Sequence, residues 1–168
     1  MLKIQFVKKG YGQATSTKAD AEKANGTLTF TGRLGETMSE SVEVVKIAVF
    51  NLLKTQDDAP VDFDKDSYHL HVPMGATPKD GPSAGTSLFA ALTSVATGKP
   101  VAANLAMTGE ITTLGEVVTI GGVREKLTAC KNHNITRVIL PASNAKHVKK
   151  LPDDFKKGFT IYYVNNIK

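Results

Sequence analysis

Hydrophobic and polar positions along the chain follow patterns that predict a mixture of helices and strands. A helical period predicts an α-helix over residues 37–53, with apolar positions at Val42, Val45, Ile47, Val49 and Leu52. Strands are predicted over residues 2–7, 27–32, 68–72, 105–112, 116–120, 137–140 and 160–164. Further helices are predicted after Pro82, around Lys126 and over residues 142–150. Because helices and strands do not alternate strictly, we expect an α+β (mixed α/β) fold.

The first segment that suggests chemistry is a serine-containing loop, Pro78-Lys79-Asp80-Gly81-Pro82-Ser83-Ala84-Gly85. Pro82 suits the first position of a helix, and Gly81 and Gly85 permit close approach of another part of the chain. Ser83 would then lie in the first helical turn, where unpaired N–H groups favour an alkoxide or an oxyanion. The octamer alone fits a nucleophile and a simple glycine-rich helix entry equally well.

The second segment spans residues 121–130 and predicts a strand end, a turn and a helix. Its polar sector contains Arg124, Glu125, Thr128, Lys131 and Asn132, and the opposite sector contains Val123, Leu127, Ala129 and Cys130. Lys126 projects from the apolar side. Its ammonium either reaches the solvated rim, or the side chain is desolvated as a neutral amine that can take a proton from a serine hydroxyl.

Together, the two segments resemble the peptidase domain of Lon proteases, which are ATP-dependent serine proteases with a Ser-Lys dyad. Residues 78–85 match the serine motif of that family, and residues 120–127 match its lysine motif. Residues 107–112 look like a third signature, and residues 69–73 match the segment that leads into the serine. The resemblance covers about residues 26–140 and includes the spacing between Ser83 and Lys126.

This resemblance implies a serine endopeptidase that hydrolyses unfolded or short polypeptides. It makes Ser83 the nucleophile, Lys126 the general base and later acid, and Thr108 the hydroxyl that positions the lysine amine. The supporting residues that it implies are Asp80, Gly81, Pro82, Glu110 and His71. In the family, this aspartate can restrain the serine in an inactive arrangement. The implied fold is similar to a ribosomal-protein-like two-layer α/β family, and the implied assembly is a homo-oligomeric ring of six copies.

The sequence also departs from the family pattern. Thr113-Leu114-Gly115 stands where Leu-Arg-Gly is usual, so an arginine expected near the site is absent. Residues 1–25 keep only part of the N-terminal hairpin of the family, and the closing helix is missing after residue 164.

Length and composition favour one domain over residues 1–168, since 41% of the 168 residues are hydrophobic and 22% are charged. The sequence contains no Gly-x-x-x-x-Gly-Lys-Ser/Thr motif, so either the domain was cut from a larger chain or it works without ATP. We expect peptidase activity that is itself independent of ATP, with a separate ATPase or unfoldase as a candidate partner. No cofactor or metal is expected.

A cytoplasmic, soluble protein is expected, because the chain has one cysteine and no apolar run near the ~18 residues of a membrane span. The net charge of +5 reflects lysines concentrated after residue 145. Nucleic acid is not an expected partner, since aromatic and basic residues do not interleave as a base-stacking surface requires.

Other readings of the sequence stay open. Residues 81–85 satisfy Gly-x-Ser-x-Gly, but Pro78 and Pro82 spoil the strand which that motif needs before its serine. A Ser-His-Asp hydrolase of small esters and a catalytically silent basic binding module are the alternatives from other classes. Asp62, Asp64 and Asp66 imitate a calcium loop without its glycine, and His69 and His71 supply only two metal ligands.

Overall fold

The first sheet brings distant parts of the chain together. The computed structural model describes residues 5–8, 27–54 and 67–168, and its mixture of helices and strands confirms the α+β class. The strands β1 (Gln5–Lys8), β2 (Leu28–Thr31) and β3 (Tyr68–His71) form a sheet in the order β1-β3-β2. β1 is antiparallel to β3, and β2 is parallel to it. Residues 2–4 of the predicted first strand lie outside the described residues. The same holds for Asp62, Asp64 and Asp66, which imitate a calcium loop.

Two helices bury the apolar side of this sheet. They are α1 (Glu36–Lys54) and α2 (Gly85–Thr97), which also contact each other. The resulting first core consists of Met38, Val42, Val45, Val49, Leu53, Tyr68, Leu70, Val72, Leu88, Leu92 and Ala96. Ile47, one of the apolar positions of α1, is 46% exposed, because two residues beyond the buried Val45 a helix has turned by about 200°.

The second sheet is parallel and lies in the C-terminal half of the chain. It contains β4 (Leu105–Met107), β7 (Arg137–Pro141) and β8 (Thr160–Val164) in the order β4-β7-β8. Its helices are α3 (Val123–Asn132), α4 (Ala145–Lys149) and α5 (Asp153–Lys156). The second core consists of Ile120, Val123, Leu127, Cys130, Ile135, Val138, Leu140 and Val148. No helix within the described residues is long and apolar enough to cross a membrane.

A short hairpin, β5 (Glu110–Ile111) and β6 (Val117–Val118), replaces two longer predicted strands. The strand predicted over residues 105–112 breaks after Met107, because the N–H of Gly109 turns away to donate to the Ser83 carbonyl at 3.0 Å. The strand predicted over residues 116–120 ends early, because the N–H of Ile120 donates to the side chain of Asn144 at 3.0 Å. The predicted helix over residues 142–150 is a 3₁₀ turn, Ala142–Asn144, followed by α4.

Candidate active site

Ser83 lies in a 3₁₀ turn, Pro82–Ala84, which leads directly into α2. Pro82 begins this turn at a position where its missing N–H costs nothing, and the N–H of Gly85 closes the turn by donating to the Pro82 carbonyl. Gly81 has a φ of 107°, which explains the glycine. The predicted close approach at Gly81 was wrong, because no heavy atom of the described residues lies within 4 Å of where its Cβ would stand.

The loop between β4 and β5 fixes the backbone of Ser83. The Ser83 carbonyl accepts hydrogen bonds from the N–H of Gly109 at 3.0 Å and from Thr108 Oγ1 at 2.9 Å. The N–H of Thr86 donates in return to the Gly109 carbonyl at 2.9 Å. A Cβ on Gly85 would lie 2.9 Å from the nitrogen of Ile111, so the close approach predicted for Gly85 does occur. These contacts tie the serine turn to the β4–β5 break.

Lys126 reaches Ser83 from α3. This helix begins after Gly122, which has a φ of 66°, and it buries Val123, Leu127 and Cys130 against the second core. Lys126 is half-buried, and its Nζ donates to Ser83 Oγ at 3.2 Å. The structure therefore brings together the two residues that were predicted to form the dyad, although one lies in the turn before α2 and the other in α3.

A cavity of about 330 Å³ opens beside this pair, and Ser83, Thr108 and Lys126 contribute to its wall. Most of the remaining lining is apolar and includes Ala90, Ala91, Val101, Leu105, Met107, Leu127, Val138 and Leu140. Cys130 also lines the cavity, and burial raises the pKa of its thiol. The cavity can therefore hold an apolar side chain directly beside the Ser83 hydroxyl.

Asp80 belongs to the serine loop, and its side chain lies beside the N-terminus of α1. Its Oδ1 accepts hydrogen bonds from the N–H of Met38 at 2.9 Å and from the N–H of Gly81 at 2.8 Å. A Cβ on Gly35 would lie 2.5 Å from the Asp80 carboxyl carbon, so the glycine makes room for this carboxylate. The N-terminus of a helix favours a carboxylate, and Asp80 acts as a cap supplied from outside the helix. In this arrangement Asp80 holds the serine loop against α1.

The other predicted supporting residues lie away from the cavity lining. Glu110 is half-buried in β5, where it pairs with Val118. His71 Nδ1 is 2.9 Å from Thr31 Oγ1, and the same hydroxyl is 3.0 Å from His69 Nε2. Burial lowers the pKa of His69, and the nearby His71 lowers it further. No histidine of the described residues lines the cavity, and none of their His, Cys, Asp and Glu side chains form a group that could hold a metal ion.

The comparisons with known proteins establish the family. The Lon protease (S16) C-terminal proteolytic domain family matches residues 5–168, and the chain belongs to this family. The chain is 46% identical over 138 residues to Lon protease 1 of Syntrophotalea carbinolica and 43% identical over 157 residues to Lon protease 1 of Thermus thermophilus. It is 40% identical over 146 residues to the mitochondrial Lon protease homolog of Drosophila melanogaster.

These matches cover most of the chain and a small part of each relative. They span 82%, 93% and 87% of the chain, respectively, but only 17%, 20% and 14% of the relatives. The chain therefore corresponds to about a fifth or less of the length of these curated relatives.

Proposed function

We propose that the chain is a serine endopeptidase that hydrolyses unfolded or short polypeptides through a dyad of Ser83 and Lys126. Membership of a family of proteolytic domains supports a peptidase function. The observation that carries the dyad is the 3.2 Å contact between Lys126 Nζ and Ser83 Oγ, in a half-buried site beside an open cavity. A nucleophile and a base within hydrogen-bond distance are what covalent catalysis by serine requires.

In the proposed reaction, the neutral amine of Lys126 takes the proton of the Ser83 hydroxyl as Oγ attacks a peptide carbonyl. Backbone N–H groups near Ser83 stabilise the oxyanion of the tetrahedral intermediate. The Lys126 ammonium then returns the proton to the departing amine, which leaves an acyl group on Ser83. Water hydrolyses this ester by the same proton relay and restores both side chains.

The cavity favours a particular kind of substrate. Its walls are mostly aliphatic, and Ser83 stands at its edge, so an apolar side chain next to the scissile bond gains free energy when it leaves water. Folded proteins bury such side chains and hold their backbone in secondary structure. Unfolded polypeptides expose both, and they are therefore the expected substrates.

Thr108 has a supporting role in this proposal. Because its hydroxyl proton is committed to the Ser83 carbonyl, its oxygen lone pairs remain for accepting a hydrogen bond from the lysine amine. The contact of Asp80 with α1 agrees with a serine loop that is available for reaction.

The test is cleavage of casein by the wild type and by variants of each dyad member. We expect Ser83→Ala and Lys126→Ala each to lower kcat by about 10³-fold or more, and the double variant to be little worse than either, because both residues act in one step. Lys126→Arg should fail as well, since a guanidinium does not become a neutral base. Lys131→Ala, on the polar side of the same helix, is the matched control and should cleave normally.

Two outcomes would contradict this mechanism. The first is substantial turnover by Lys126→Ala in protein that circular dichroism shows to be folded. The second is loss of activity in His71→Ala together with a pH profile governed by a group near the usual histidine pKa of about 6.5, which would favour a histidine-dependent hydrolase.

A further inference from the structure

Lys79 makes an unusual set of contacts that the dyad does not explain. Its side chain is half-buried, and Nζ donates to the carbonyls of Gly32 at 2.7 Å, Met74 at 2.8 Å and Thr77 at 2.9 Å. An ammonium group has three protons, and all three are used here. Lys79 does not line the cavity that holds Ser83 and Lys126, so it is not placed to take part in proton transfer.

The three carbonyls belong to two segments that are far apart in sequence. Gly32 directly follows β2, whereas Met74 and Thr77 belong to the loop that leads from β3 to the serine turn. The backbone of Lys79 joins the same segments, since its N–H donates to the Arg33 carbonyl at 3.1 Å and its carbonyl accepts from the N–H of Gly35 at 2.7 Å. Lys79 therefore fastens the serine loop to the connection between β2 and α1.

The segment that precedes Lys79 has little apolar packing to hold it in place. Residues 74–78 are exposed, and Met74 has a φ of 67°. Pro78 and Pro82 have no N–H group to contribute to a hydrogen-bonded structure. Polar contacts to the main chain thus replace the apolar packing that positions the helices. Arg33 adds one such contact, from its Nη1 to the Ala76 carbonyl at 2.9 Å.

We propose that Lys79 is a positioning residue for the peptidase reaction: its ammonium holds the serine loop so that Ser83 Oγ stays within hydrogen-bond distance of Lys126 Nζ. This inference rests on the proposed function. Only Asp80, Gly81 and Pro82 separate Lys79 from the nucleophile. A displacement of the clamp, meaning the Lys79 ammonium and the three carbonyls that it contacts, is therefore passed to Ser83 along a short segment. A misplacement of about 1 Å can cost about 10²-fold in rate.

The charge of Lys79 is central to this role. Three carbonyl oxygens converge on Nζ, and a cation satisfies all of them at once, whereas an apolar side chain would leave them without that donor. Lys79→Met keeps the length of the side chain and removes the donors. Lys79→Arg keeps the charge and several donors. The two variants therefore distinguish the loss of the hydrogen-bond donors from a change in the size of the side chain.

The experiment measures casein-peptide cleavage by the wild type, Lys79→Met, Lys79→Arg and Lys149→Met, a control that alters an exposed lysine on α4. For Lys79→Met we expect kcat to fall about tenfold or more with KM within about twofold, because the nucleophile moves while the cavity stays. Lys79→Arg should recover most of kcat, and Lys149→Met should match the wild type. Assays run well below the melting temperature of each variant, so that unfolding does not imitate a loss of kcat.

Amide hydrogen exchange provides a readout that does not depend on activity. In Lys79→Met, the amides of Gly35, Thr77 and Gly81 should exchange faster than in the wild type, while those of β7 and α3 should not change. If Lys79→Met does not fold, Lys79→Gln replaces it, with two donors and no charge, and should show a smaller change in the same direction.

The outcomes separate this inference from the proposed function. Cleavage by Ser83→Ala at the rate of the wild type contradicts the proposed function. Amide exchange then still decides whether Lys79 holds the loop. Ser83-dependent cleavage with a normal kcat in Lys79→Met overturns the positioning role and leaves the dyad intact. Unchanged exchange at Gly35, Thr77 and Gly81 overturns the clamp itself.

Discussion

The carbonyl oxygen of Ser83 shows how closely single residues control the candidate site. It accepts one hydrogen bond from the backbone of Gly109 and one from the side chain of Thr108. These two bonds orient the peptide that carries the Ser83 side chain, and Lys126 contacts the hydroxyl of that side chain from another helix. The position of the nucleophile is therefore set by groups that do not react.

Removal of the Thr108 hydroxyl tests this arrangement. A hydrogen bond of this kind contributes about 0.5–1.5 kcal/mol, so its loss in Thr108→Val should lower kcat by about three- to tenfold if the bond is needed to reach the transition state. Thr108→Ser keeps the hydroxyl and loses only a methyl group, and its kcat should stay close to that of the wild type. The measurement is kcat for peptide cleavage at a fixed pH. Equal rates in Thr108→Val and the wild type would show that the bond is dispensable.

At the residue scale, the sequence revealed the two candidate catalytic residues but not the contacts of Lys79. Local patterns of glycines, prolines and helical apolar positions marked Ser83 and Lys126 as candidates, and the resemblance to Lon peptidase domains implied their roles. The contacts of Lys79 could not be predicted, because its partners are main-chain carbonyls, one of which belongs to Gly32. No side-chain pattern marks a carbonyl group that a distant lysine will contact.

Helices and strands differ in how far the sequence revealed them. The apolar periods of α1 and α3 are long, and the predicted bounds lie within one residue of the observed α1. The prediction over residues 105–112 failed because the break between β4 and β5 is caused by Ser83, which pairs with Gly109 from outside the strand. The four-residue α5 is too short to show a period of its own.

The start of α2 is the element whose packing matters most to the site. A Cβ on Gly85 would stand 2.9 Å from the nitrogen of Ile111 and 3.1 Å from the Gly109 carbonyl oxygen, and both are backbone atoms. Such atoms move only if β5 moves as well. The first turn of α2 and the β4–β5 break are consequently in direct contact, with no side chain between them.

We predict that Gly85→Ala destabilises the fold and displaces Ser83. Crowding of this kind typically costs about 1–3 kcal/mol, so the urea midpoint should fall, and kcat should fall even where the variant is folded. Gly121→Ala is the matched control, because no described atom lies within 4 Å of its Cβ position and its φ is not positive. A Gly85→Ala protein with wild-type stability and kcat would contradict the close contact.

The whole molecule places the proposed dyad between two hydrophobic cores. Ser83 precedes α2, whose Leu88 and Leu92 belong to the first core, whereas Lys126 belongs to α3, whose Leu127 belongs to the second. The cavity lies between these helices and is also lined by residues of β4 and β7. The distance between Nζ and Oγ thus depends on how the two halves pack, which local sequence patterns do not reveal.

At this scale we propose that the chain cleaves unfolded polypeptides without ATP and works as an assembly. The sequence has no Gly-x-x-x-x-Gly-Lys-Ser/Thr motif to bind a nucleotide phosphate, so ATP should not change the rate on casein. A ring of six copies is what the family resemblance implies. The exposed large apolar side chains of the described residues are scattered over α1, the loop after β3, the connection between α2 and β4, the hairpin and β8, which favours weak contacts between copies. Oligomers should therefore dissociate on dilution.

The independence of ATP and the assembly are tested by light scattering and a peptidase assay over one dilution series. Each is run with and without ATP and Mg²⁺. Specific activity should fall as the average mass falls if cleavage depends on assembly. A folded globular protein offered as substrate should resist cleavage unless a separate unfoldase is added, since its scissile bonds are not exposed. Full specific activity in a strictly monomeric sample would show that assembly is unnecessary. Strong stimulation of casein cleavage by ATP would contradict the proposed independence of ATP.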